Sequence, residues 1–135
     1  MAALTADRNT PEINGDFVVL AVAAGVRIFA GSLVCIDNAG RAVPGGNAGA
    51  VRAIGRAEEL ADNRLGAAGA INVKVARGIF GWANSAAVPV TAADLHKLVY
   101  VEDDQTVRGD NVPNVPAGRV VAITDGYIFV DSRDQ

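Results

Sequence analysis

The chain has 135 residues and a formal charge of −3, with 12 basic residues scattered singly among 15 acids. That length suits one domain, and dispersed basic charge argues against a nucleic-acid partner, whose binding rests on clustered Lys and Arg. No apolar stretch is long enough to cross a bilayer, no basic-then-apolar segment at the start marks a signal peptide, and Cys35, the one Cys, leaves no intrachain disulfide.

Half the residues are hydrophobic, but many are Ala; the large ones are mostly Val and Ile, which favour a pleated surface. With 15 Gly and 5 Pro as turn points, the composition leans to all-β. Residues 1–15 have neither helical nor strand periodicity and read as a polar arm. Phe17–Ala23 (FVVLAVA) is the first strand-like run, broken at Ala24-Gly25. Val26–Asp37 (VRIFAGSLVCID) follows, with a turn or kink at Gly31. Asn38-Ala39-Gly40 predicts a hairpin loop with Gly40 left-handed, and Arg41–Val43 the returning strand. Pro44–Ala50 (PGGNAGA) reads as a mobile loop, too small and Gly-rich to pack well. Val51–Glu59 predicts a strand, with or without a bulge at Gly55. Leu60–Ala70 is a polar, small-residue connection. Ile71, Val73 and Val75 then alternate with Asn72 and Lys74, the half-buried strand pattern. Gly78 and Gly81 interrupt the rest of that run, as at a bulge or a close backbone approach.

Val90–Leu95 (VTAADL) is the best helical candidate, one turn with Thr91 as cap and Asp94 three residues on. Lys97–Gly109 reads as strand, turn and short strand, and Asp110–Ala117 as a Pro-broken loop. Gly118–Ser132 is the clearest hairpin: Asp125-Gly126 fills a two-residue turn that favours positive φ at both positions. Val121 and Ile123 line one face before it; Ile128 and Val130, or Tyr127 and Phe129, line faces after it. About eight short strands, no crossover-length helix and at most one short helix predict an all-β domain over residues 16–135, a sandwich or small barrel.

Chemistry is sparse. His96 is the only His, so no Cys/His metal cluster can form, and no Ser sits in a G-x-S-x-G elbow. Cys35, within LVCI, reads as a small buried hydrophobe with no cationic neighbour to make a thiolate. Asp103-Asp104 and Glu58-Glu59 are adjacent acids, and strand neighbours point to opposite faces. A divalent ion at Asp103, Asp104 and Asp110 has only this acid count behind it, because DDQTVRGD misplaces the Gly and Glu of a calcium loop. PGGNAGA lacks the Gly-Lys-Ser/Thr and helix start of a phosphate cradle. Trp82 could stack on a sugar or base, although one buried Trp in an aromatic-poor core is the commoner case. A β domain with no convergent polar site, no cofactor motif and a polar arm reads as a binding or assembly module rather than an enzyme.

The opening LTADRNTPEINGDF resembles that of the small capsid cement (head decoration) proteins of Mu-like phages and prophages, matched at Thr5, Ala6, Asp7, Arg8, Asn9, Thr10 and Pro11. The resemblance runs on through VRIFAGSLVCIDNAGRAVPG, AIGRAEELADN, VKVARGIFGWANSAA, VTAADLHKLVYVEDDQTV and AGRVVAITDGYIFVD, nearly the whole chain. Members of that family often carry basic residues just after the Pro, where this chain has Glu12-Ile13, so any contact those residues make is expected to differ here. The resemblance implies a non-enzymatic virion protein with a compact β-barrel or β-tulip domain. It would bind the outside of the assembled shell as a homotrimer at local three-fold positions, with the major capsid protein of the same phage as partner. Its place would be the host cytoplasm during assembly and the virion exterior afterwards. Thr5–Pro11 would supply the capsid contact: a polar arm buries too little to fold alone, and it can order by adding to a sheet edge of a partner. The competing expectations are a frayed terminus for the arm and, for the domain, a barrel that recognises a carbohydrate or receptor through Trp82 and the Gly-rich loops.

Overall fold

The computed structural model describes residues 3, 5–9 and 15–135. Among them the chain is all-β: β1 (Phe17–Ala21), β2 (Arg27–Ile28), β3 (Leu33–Ile36), β4 (Ala42–Pro44), β5 (Arg52–Ala57), β6 (Ala61–Asp62), β7 (Asn72–Ala76), β8 (Ile79–Asn84), β9 (Leu98–Val101), β10 (Thr106–Arg108), β11 (Pro116–Thr124) and β12 (Tyr127–Asp131). The one helical piece is a 3-10 turn at Ala92–Asp94, inside the segment expected to form a single turn. There the Asp94 carboxylate accepts the Thr91 N–H at 2.9 Å, the acidic half of the predicted cap.

The strands number more than expected because the left-handed Gly31 divides Val26–Asp37 into β2 and β3, the run from Ile71 to Asn84 divides into β7 and β8, and the Leu60–Ala70 connection contributes β6. They also fall into three sheets rather than one barrel. The first is antiparallel, in the order β1-β7-β5-β3-β4. It curls until its two outer strands meet: Val22, just past β1, bridges Ala42, and the Ala23 N–H donates to the Ala42 carbonyl at 3.0 Å. The second is a ring, β10-β8-β12-β11-β9, closed by a short parallel pairing of Thr106 with Ala83 and Val107 with Asn84. The third pairs β2 with β6.

Strand β3 joins the two larger units. Its alternate residues face opposite ways. Leu33 and Cys35 enter a cluster with Trp82, Val99, Val101, Val107, Val120, Ile128 and Val130 of the ring. Val34 enters a second cluster with Val22, Ile28, Val73 and Val75. Both faces of β3 are buried, which is why LVCI is an unbroken apolar run.

Local chemistry explains the register. In the β3–β4 hairpin the Asp37 carboxylate accepts the N–H groups of Ala39 and Arg41, both at 2.9 Å, and Gly40 is left-handed. Asp125 and Gly126 both take positive φ, as their two-residue turn requires. In the β11–β12 hairpin Ile128 and Val130 point inward, while Val121, Tyr127 and Phe129 lie on the outer side. Strand β5 carries the bulge: Val34 pairs with Gly55 and Cys35 with Ala53, leaving Ile54 as the extra residue.

One expectation is corrected. The start of the Pro44–Ala50 loop is packed, although Gly46, Ala48 and Gly49 are exposed: Gly45 is buried, donates its N–H to the Leu33 carbonyl at 2.9 Å, and has the Asp103 carbonyl oxygen 2.6 Å from where a Cβ would sit. The lack of a side chain is what lets this backbone lie against another backbone.

Candidate functional site: the arm, its root and the edge strand

Thr5, Ala6, Asp7, Arg8 and Asn9 are all exposed. Thr10 and Pro11 of the same motif, with Glu12 and Ile13, lie outside the described residues. The chain is fixed to the domain at Asp16, whose carbonyl accepts the Arg77 N–H at 2.8 Å. Strand β1 follows at once. It pairs with β7 from Phe17–Ala76 to Ala21–Asn72, and along that length no described residue pairs with its other side. Val19 is 66% exposed, and Phe17 is capped by the Lys74 ammonium 4.4 Å above its ring centre. An apolar edge strand with an exposed arm before it has the form used in strand addition.

The other residues weighed from the sequence do not converge. Trp82 is 6% exposed, points into the ring and meets Phe80 edge-on at 6.3 Å, so it offers no stacking surface. His96 is exposed in a left-handed conformation after the 3-10 turn. Asp103 accepts the Gln105 N–H within its own turn at 2.9 Å. Asp110 is bonded by Arg108 at 2.5 Å, and that hydrogen bond holds its carboxyl below the usual range. Glu58 pairs with Arg56 at 2.9 Å. Among the described residues no three His, Cys, Asp or Glu side chains gather to hold a metal, and no helix is long and apolar enough to cross a membrane.

Cys35 is fully buried, and burial pushes its thiol from 9.0 up to about 12. A raised thiol pKa means that the unfolded chain gives up this proton first. The contribution to stability is intact below about pH 9, the unfolded value, and is lost progressively from there toward pH 12. The native thiol is therefore expected to resist a disulfide reagent at pH 8 and to react at once in denaturant. Rapid labelling of the native protein would place Cys35 at the surface instead.

Sequence reasoning missed Asn63. Its buried amide donates to the carbonyls of Ala23 at 3.0 Å and Ala67 at 2.9 Å and, more distantly, Val22 at 3.4 Å. That holds the Leu60–Ala70 connection against the end of β1. A polar residue in a polar loop gives no sign of such burial. A comparison of the chain with protein-family models, curated proteins and solved structures found no match.

Proposed function

We propose that this protein is a capsid decoration protein of the Mu-like cement type. It binds the outer surface of a phage shell and stabilises it, and it is not an enzyme. The major capsid protein of the same phage is its partner, reached through the arm at Thr5–Pro11. The decorating unit is a homotrimer on the virion exterior, formed in the host cytoplasm. The observation that carries the reading is the arm motif: its described part, Thr5–Asn9, is exposed and stands before an edge strand. A polar segment of this kind gains order from a partner's backbone hydrogen bonds. Three arms in one unit turn modest contacts into tight attachment. A ligand that binds only the assembled shell stabilises it by mass action.

The test is cosedimentation with undecorated shells of the matching capsid protein. The full chain is expected to pellet with the shells. Removing residues 1–15, or changing Asp7→Ala and Arg8→Ala together in the full chain, is expected to cut shell-bound protein at least tenfold, on the order of what a lost multivalent contact costs. Circular dichroism should stay that of the parent. Equal decoration by the altered proteins overturns the role of the arm; no decoration by the full chain overturns the function.

A further inference from the structure

Arg52 at the start of β5, Arg77 just after β7 and Arg133 just after β12 come from distant parts of the chain and line one open cleft of about 310 Å³. The cleft lies where the five-stranded sheet meets the ring, and hydrogen bonds fix its walls. The Ser132 N–H donates to the Gly78 carbonyl at 2.9 Å, and the Gly78 N–H donates to Ser132 Oγ at 3.1 Å. Gln135 Nε2 donates to the Ala53 carbonyl at 2.7 Å. Arg133 is held by Asp131, Nε to Oδ1 at 2.9 Å and Nη2 to Oδ2 at 3.3 Å, and Asp16 also faces it. Among the described residues no carboxylate lies within ion-pair distance of Arg52 or Arg77. Asp131 also acts on the Arg77 guanidinium through space, but among the described residues no carboxylate bonds Arg52 or Arg77, so both forks keep donors for a further anion.

Such forks match the two oxygens of a carboxylate or phosphate. They are partly in water, where a lone small anion is screened and held weakly. Several carboxylates linked in one chain engage both forks together and gain from the linkage. The arm's root adjoins the cleft through the bond between the Arg77 N–H and the Asp16 carbonyl, so a protein seated there also lies beside the arm. We propose that this cleft is a docking site for an acidic segment of a partner protein, whose carboxylates take the open forks of Arg52 and Arg77 beside Arg133. The cleft's charge requires no assumption about a shell.

The experiment is a titration of the isotope-labelled full chain at low salt, followed by amide chemical shifts. The probes are a hexapeptide of alternating Glu and Asp, its Gln/Asn counterpart, and inorganic phosphate. The acidic peptide is expected to shift the amides of Arg52, Ala53, Gly78 and Ser132, and to lose affinity as salt rises. Arg52→Gln with Arg77→Gln should weaken it at least tenfold, the order expected for two charge-assisted contacts, with an unchanged melting curve. Arg41→Gln with Arg64→Gln, which removes the same charge elsewhere, should leave affinity near that of the parent. Absent shifts at those four amides, or equal weakening by the control pair, overturn the site. Phosphate binding as tightly as the peptide overturns the protein segment as occupant and leaves a small-anion site.

Discussion

Gly55→Ala is expected to unfold about 10–15 °C below the parent, a loss of roughly 3–4 kcal/mol for an overpacked site backed by main chain. The cause is the β5 bulge. Ile54 is the extra residue, and the strand returns to register at Gly55, where a methyl group would collide with the Ala76 carbonyl oxygen of β7. A flexible side-chain tip could turn aside, but a carbonyl in a strand ladder cannot. Either β5 and β7 part and give up hydrogen bonds that bury their donors, or the bulge rebuilds and turns Ala53 and Ala57 off the cores they now enter. Gly78→Ala is the control. Its nearest neighbour, the Phe80 ring, lies at 3.7 Å, ordinary van der Waals distance. That change should fall within about 1 kcal/mol of the parent, with a small gain where the unfolded chain loses freedom. Thermal melts of the two variants decide the matter: coincident curves would mean that the strands do not approach closely at Gly55.

Much of the fold was legible because it is encoded locally. Asp125-Gly126 specifies its turn by backbone preference alone, and the alternation from Ile71 to Val75 specifies one buried face of β7. LVCI carries a subtler signal, an apolar residue at every position because both faces of β3 are covered. The features that escaped are those made by distant residues. The parallel pairing of β8 with β10 has no turn to announce it, and β2 and β6 are two residues each, too short for any period. Gly45 and Gly46 have no side chains to mark their contact with Asp103, so Pro44–Ala50 resembled a slack loop. The basic residues were misleading in the same way. Arg52, Arg77 and Arg133 are scattered singly along the chain, yet folding gathers them at one cleft. The arm was legible only as a motif, since exposed polar residues carry no pattern of burial from which a contact could be read.

Trp82→Ala is expected to cost about 3–5 kcal/mol, the usual range for removing a buried aromatic side chain, and it bears directly on the reading of the domain as a carbohydrate-binding barrel. That reading needs an accessible indole. In the fold Trp82 sits on β8 opposite Ile128, inside the ring, and packs with Val99, Val107, Val120 and Val130. It is the only Trp and much the largest side chain of that cluster, so its loss leaves a void that Val residues, with their fixed rotamers, cannot fill. Phe80 beside it carries the Arg56 guanidinium 4.5 Å from its ring centre, a contact it would give up by moving into the void. Trp82→Phe keeps most of the volume and should lose less than half as much. Denaturant titrations of both variants test this, and emission from the single indole of the parent, blue-shifted when folded, gives an independent measure of its burial. A Trp82→Ala protein as stable as the parent would put the indole at the surface and restore the case for a stacking site. Loss of stability graded by the volume removed would instead fix Trp82 as the centre of the ring's core and remove the indole from the surfaces open to a ligand.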